Sequence, residues 1–158
     1  MSIQKIFMGI DPGKSGAVAV IDENCRPLEI YDCPVGEPEM AKVIKEIVEK
    51  YPQEEYIILG AVERVHAMPK QGVSSVFTFG KNFGNWTMAL AYAEIPFLLP
   101  TPQAWQKGLM VKSNGSKKSK SFVAASRLFP TAELKGSKGG IKDGRCDALL
   151  IAYWRSLQ

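Results

Sequence analysis

Two short apolar runs, KIFMGI ending at Ile10 and IILGAV ending at Val62, each stop at a carboxylate, Asp11 and Glu63. Runs this uniformly apolar fit strands covered on both faces. An acid that follows such a strand lies at its carboxyl edge. If the two strands are adjacent and parallel, both acids share the edge where open α/β sheets place their ligands. That single possibility narrows both the fold and the chemistry.

The rest of the pattern supplies neighbours for these strands. Ile3–Ile10 reads as a strand stopped by Asp11-Pro12-Gly13, Gly16–Ile21 as a second turned by Asp22-Glu23-Asn24, and Leu28–Cys33 as a third closed by Pro34. Their close succession predicts an antiparallel meander. Glu39–Lys50 carries Met40, Val43, Ile44, Ile47 and Val48 at the spacing of an amphipathic helix. Tyr56–Glu63 is then a strand reached through a helix, which points to parallel pairing. Val73–Glu94 is read as mostly helical and Pro96–Pro100 as a short strand, and Thr101-Pro102 opens a helix with a hydroxyl cap and an early proline. Lys112–Lys120 reads as a lysine-rich loop or helix start, Lys120–Leu128 as a helix ended by Phe129-Pro130, Lys135–Gly140 as a loop and Cys146–Leu157 as the last helix. The order βββαβαβαα describes one α/β domain, residues 1–158, with a mixed sheet, and no repeat or internal boundary interrupts it.

A chain of 158 residues can bury a continuous core without staples. Three cysteines, Cys25, Cys33 and Cys146, cannot all pair and form no CxxC, so a reduced compartment and no zinc site are expected. No apolar run reaches the roughly 20 residues needed to span a bilayer. Met1–Lys5 leads directly into a strand, so no targeting signal is expected and a cytoplasmic location follows.

Charge is segregated. Between Arg64 and Ala132 stand nine basic residues (Arg64, Lys70, Lys81, Lys107, Lys112, Lys117, Lys118, Lys120, Arg127) against one acid, Glu94, although the whole chain carries only +4. Such a segment suits a polyanion, a nucleic acid or a membrane surface; a lysine-rich solvated face is the bland alternative.

Further acids sit near the last helix. Asp143 and Asp147 are four apart and share a face if that helix starts early enough. Asp147 continues through Leu150, Ile151 and Trp154 along the inward stripe. Bringing three carboxylates together is costly through repulsion and desolvation, a cost that divalent cations remove. Mg²⁺ takes oxygen ligands and keeps waters for substrate phosphates. Two such ions can activate a water and steady the leaving oxygen of a phosphodiester.

The ordered set Gly9-Ile10-Asp11-Pro12-Gly13-Lys14-Ser15-Gly16-Ala17, Val62-Glu63-Arg64-Val65-His66 and Asp143-Gly144-Arg145-Cys146-Asp147-Ala148-Leu149-Leu150 resembles the RuvC family of Holliday-junction resolvases. Gln71-Gly72-Val73-Ser74-Ser75 and Thr101-Pro102-Gln103-Ala104-Trp105 resemble its phage-type and chloroplast-type branches. The resemblance spans the chain. It implies a ribonuclease H-like fold with a five-stranded mixed sheet flanked by helices. It further implies a homodimer and Mg²⁺- or Mn²⁺-dependent paired nicking of four-way DNA junctions, with no small-molecule cofactor. Asp11, Glu63 and Asp147 would be metal ligands and Asp143 the fourth acid. Some relatives space the last two acids three apart, where Gly144 stands here, so Asp143 departs from the pattern. Lys118 is the leading candidate for the family's catalytic lysine, ahead of Lys107, Lys117 and Lys120. The implied setting is a bacterial or phage-infected cell, at the nucleoid.

Other motifs carry less. MGIDPGKS misses a P-loop because Met8 stands where its first glycine belongs, and Asp11 would repel phosphate not bridged by metal. The related phosphate turn of sugar kinases and actin needs two such domains. His66, the one histidine, lies three residues after Glu63; it reads as a ligand or proton carrier near the acids, or as a loop histidine bonded to backbone. No Ser/His/Asp motif occurs, and Cys146 reads as a small buried residue. The segment 72–86 sets Phe77, Phe79, Phe83 and Trp86 among glycines and lysines. Phe77 is the candidate wedge for an open junction centre, while Phe83 and Trp86 suit a helix–helix dimer core. Lys70, Lys81, Lys107, Lys112, Lys117, Lys118 and Lys120 are the expected DNA contacts. Two other functions remain open beside junction resolution: a ribonuclease H-type or general structure-selective nuclease, and a non-catalytic junction-binding module.

Overall fold

The structure, a computed structural model, describes residues 2–66, 69–110 and 117–158, with the side chains of 117–119 outside the description. Five strands form one sheet: β1 (Gln4–Asp11), β2 (Ala17–Asp22), β3 (Pro27–Asp32), β4 (Tyr56–Val62) and β5 (Phe97–Leu98). Their order is β3-β2-β1-β4-β5. The first three strands pair antiparallel, as the tight turns demand, while β1–β4 and β4–β5 are parallel. Thus the two apolar runs are neighbours at the sheet centre, paired from Gln4↔Tyr56 to Ile10↔Val62.

Strand alternation divides the core in two. Ile6, Met8 and Ile10 of β1 with Ile58 and Val62 of β4 face α1 (Glu37–Lys50) and α2 (Val73–Tyr92). Phe7 of β1 and Ala61 of β4 face the other way, toward α3 (Pro102–Gln106), α4 (Lys117–Leu128) and α5 (Asp143–Ser156). In α1, Met40, Val43, Ile44 and Ile47 are buried, and the opposite face carries the exposed i,i+4 pairs Lys42–Glu46 and Lys45–Glu49. Pro38 in its first turn and the acids Glu37 and Glu39 there suit a helix N-terminus.

Four differences from the sequence reading stand out. Among the described residues three helices follow β5, the three segments named above and one more than the order βββαβαβαα counts. The final helix starts at Asp143, three residues before the expected Cys146, because Gly144 lets its first turn press onto the β1–β2 turn: a Cβ there would lie 2.1 Å from the Ser15 carbonyl oxygen. The segment Lys135–Gly140, read as a loop, belongs instead to a closed hairpin, with a Lys135↔Ile141 bridge and Gly136 N donating to the Gly140 oxygen at 2.8 Å. The last strand shrinks to two residues, Phe97–Leu98. Among the described residues, no helix is long and apolar enough to cross a membrane.

Candidate active site

The parallel register puts the two strand-end acids side by side. Ile10 pairs with Val62, and Glu63 N donates to the Ile10 oxygen at 3.0 Å, so Asp11 and Glu63 leave their strands at one level. Period-two alternation then fixes their side: Asp11 follows Phe7 and Gly9, and Glu63 follows Leu59 and Ala61, all on the α5 face.

Helix α5 approaches that face more closely than a side chain would allow. A Cβ on Gly9 would lie 2.1 Å from the Ala148 oxygen and 2.3 Å from the Ala152 nitrogen, so backbone rests on backbone. With Ala148 over Gly9 and Gly144 over Ser15–Gly16, the first turns of α5 run across the carboxyl end of β1. Asp143 and Asp147 belong to those turns.

Neutral donors hold three of the four acids. Gly13 N donates to Asp11 Oδ1 at 3.0 Å within the turn that follows β1. The Trp105 indole, wholly buried on α3, donates from Nε1 to Glu63 Oε2 at 2.6 Å. Ser121 of α4, itself buried, donates from Oγ to Asp147 Oδ1 at 2.6 Å. A neutral donor fixes a carboxylate's orientation without discharging it, which is how ligands around metals are commonly held. Threonine 101 caps the short helix that delivers Trp105, accepting from Ala104 N at 3.2 Å.

The convergence is one of edge and face. Among the described residues, no group of three or more His, Cys, Asp or Glu is drawn close enough to hold an ion as it stands. The expected four-acid cage of Asp11, Glu63, Asp147 and Asp143 is therefore a set of carboxylates on one side of one sheet edge, each with its own hydrogen-bonding or electrostatic partner. Its all-oxygen chemistry matches a hard divalent cation. Burial pushes the Cys146 thiol up to about 12, with Asp147 and then Asp143 adding to the rise, which suits the unreactive packing residue expected there.

The basic candidates scatter. Lys107 is exposed just past α3, and Lys120 is half-buried beside Ser121 on α4. Lys70 is exposed with φ 69. Lys81 already pairs with Glu37 at 2.6 Å. Lys112 lies outside the described residues, as do the side chains of Lys117 and Lys118. His66 is exposed, three residues beyond Glu63. Of the aromatics, Phe77 is 74% exposed at the start of α2, as a wedge requires. Trp86 is fully buried inside its own subunit and so is not a dimer-core residue, while Phe83 packs against the same α1–α2 core with part of its ring left exposed.

Sequence reasoning missed Ser121 and a second group of cations. Lys14, Lys135, Lys138 and Lys142 line one cleft of about 880 Å³ beside the first turn of α5. Nothing in the sequence around Ser121 distinguishes it from any other helical serine. The lysines of 135–142 did carry a signal, the run KGSKGGIK directly before the last acids.

A central β1–β4 pair, an antiparallel β1–β3 meander and a helix crossing the carboxyl edge define a ribonuclease H-like fold. Solved structures of RuvC Holliday-junction resolvases share it. The RuvC of Thermus thermophilus in complex with a Holliday junction substrate superposes with a TM-score of 0.65 at 17% identity, covering 95% of this chain and 91% of that one. A second Thermus thermophilus RuvC structure gives a TM-score of 0.60 at 17% identity over 94% and 92% of the two chains. The yeast mitochondrial Holliday junction resolvase gives 0.51 at 18% identity, covering 94% and 76%. No family model matches the chain, and no curated protein does.

Proposed function

We propose that the chain is a single nuclease domain, a structure-selective endodeoxyribonuclease that resolves four-way DNA junctions by paired, symmetric nicks. The observation that carries this reading is the placement of Asp11 and Glu63 at one level of one sheet edge, facing the helix that bears Asp147. The likeness to resolvase structures supports it at the level of fold.

In this reading Asp11, Glu63 and Asp147 hold divalent cations, Mg²⁺ or Mn²⁺, with Asp143 beside them. Two such ions would activate a water and stabilise the leaving oxygen. The chain's own residues do the positioning. Trp105 orients Glu63, Ser121 orients Asp147, and Gly13 N orients Asp11. Lys118, on α4, is assigned to the charge that develops at the scissile phosphate. Phe77 is assigned to the open centre of the junction, and Lys107 and Lys120 to flanking phosphates. A two-fold junction calls for two identical cuts, which a homodimer provides.

The test uses a four-way junction, a plain duplex and an RNA–DNA hybrid, each incubated with the protein and Mg²⁺. Cleavage of the junction, with Asp11→Asn binding it normally but not cutting, supports the proposal. Cleavage of the hybrid alone would make the protein a ribonuclease H-type enzyme instead. Junction binding without turnover in Mg²⁺ or Mn²⁺ would make it a binding module.

A further inference from the structure

We infer that the hairpin 134–142 and the β1–β2 turn form a second DNA-backbone subsite, a cleft that seats phosphates of a strand outside the cut itself; the inference rests on the nuclease reading above. Three features of the cleft point to a polyanion. First, its shape is held from below. Leu134 is buried, Lys142 N donates to the Leu134 oxygen at 2.9 Å, and Gly139 N donates to the Gly136 oxygen at 2.8 Å. Gly139 has φ +80, which an L side chain would resist. Arg145 anchors the base by gripping both oxygens of Asp32, at 2.7 and 3.1 Å, and the Glu133 carbonyl at 2.9 Å.

Second, the charge that remains is positive. Lys142 joins Arg145 on Asp32, at 3.4 Å, so one acid of the cleft is covered by two cations. Lys14, Lys135 and Lys138 are all exposed around the same space. Glu133 and Asp143 line the cleft as well, so five cations face three carboxylates. The remaining lining is glycine and serine with Cys33 and Ile141 and no aromatic ring, which suits a solvated phosphate chain and not a compact apolar ligand.

Third, the cleft reaches Asp143 and meets the cleft of Phe77 at Lys14. Lys14 also lines a neighbouring cleft of about 680 Å³ bounded by Phe77, Phe79 and Lys81. Between the two clefts sits the turn that follows Asp11, with Lys14 three residues past it. A strand laid from Phe77 over Lys14 to the hairpin therefore crosses the turn that follows Asp11 and reaches Asp143, which lines the hairpin cleft. None of these hairpin lysines lies in the basic segment 64–132 that dominates the sequence.

The experiment measures binding of a fluorescent four-way junction to the full chain by anisotropy, in Ca²⁺, across a salt series. The proteins are wild type, Lys14→Ala/Lys138→Ala, Lys14→Arg/Lys138→Arg and, as a control on α1, Lys45→Ala. Each phosphate contact contributes about 0.9 to the slope of log K against log salt. The double alanine variant should therefore lower the slope by about 1.8 and weaken binding on the order of 30-fold at 0.15 M salt. The arginine pair should restore both, and the control should match wild type. Circular dichroism checks that the exposed alanines leave the fold intact. An unchanged slope and affinity in the double alanine variant overturns the subsite even if the wild type cuts junctions. A lowered slope in a protein that never cuts keeps the subsite and removes the nuclease reading. Failure of the wild type to bind DNA removes both.

Discussion

Gly9→Ala tests whether helix α5 is seated by direct backbone contact. The new Cβ would meet the Ala148 oxygen at 2.1 Å and the Ala152 nitrogen at 2.3 Å. Unstrained carbon contacts need about 3.5 Å, so α5 or β1 must retreat by roughly 1 Å. Neither obstacle is a flexible side chain that could swing away. Overpacking of this kind costs about 1–3 kcal/mol, and two backbone atoms at these distances put the cost at the upper end. For a domain of this size each 1 kcal/mol lowers Tm by roughly 2–4 °C, so a fall of about 6–12 °C is expected. Cleavage should suffer more than stability, because β1 carries Asp11 and α5 carries Asp147; a misplacement near 1 Å can cost about 10²-fold in rate. The matched control is Gly80→Ala. Gly80 lies within α2 with open space around its missing Cβ, and there the same methyl group should stabilise by about 0.5–1 kcal/mol. Thermal unfolding by circular dichroism and a single-turnover junction assay read both variants. If Gly9→Ala melts with the wild type and cuts at its rate, the backbone seat is wrong.

Other perturbations probe the supports. Ser121→Ala should lower the junction-cleavage rate while leaving junction affinity in Ca²⁺ unchanged, since it removes one bond that orients Asp147 without touching DNA; equal loss of affinity would contradict the orienting role. Trp105→Phe removes the 2.6 Å bond to Glu63, a charged-acceptor bond of about 1.5–3 kcal/mol, and should show as a lower urea midpoint together with weaker cleavage. The hydrogen bonds from Arg145, outweighing some burial, hold the Asp32 carboxyl below its ordinary 3.8. A lowered folded-state value contributes stability above the unfolded value that is lost as pH falls through the folded one. Wild type should therefore lose more Tm than Asp32→Asn as pH drops from about 5 toward 3; parallel curves would show that the clamp does not respond to pH.

The sheet was readable because its signals are local. Each strand is a short apolar run ended by Pro, Gly or acids, and the helix between β3 and β4 forces the parallel pairing that sets Asp11 beside Glu63. The start of α5 was misread because nothing local marks it. Lys142 offers no capping side chain, and the helix begins at Asp143 because Gly144 fits against a turn 128 residues earlier in the chain. Likewise, Trp86 looked like an interface residue from its setting among glycines and lysines, yet the fold places it wholly inside the α1–α2 layer. Long-range packing decides both. The partners of the acids follow the same division: Trp105 stands in a motif that the sequence offered, whereas Ser121 becomes visible only when α4 lies against α5.

The central claim is that carboxylates from β1, β4 and α5 act together on divalent cations. Titration of Mn²⁺ followed by the electron paramagnetic resonance of the free ion tests it in the full chain without any DNA. The account predicts saturable binding by the wild type that weakens at least about tenfold, roughly 1.4 kcal/mol, in each of Asp11→Asn, Glu63→Gln and Asp147→Asn. Binding that survives all three substitutions unchanged would contradict it.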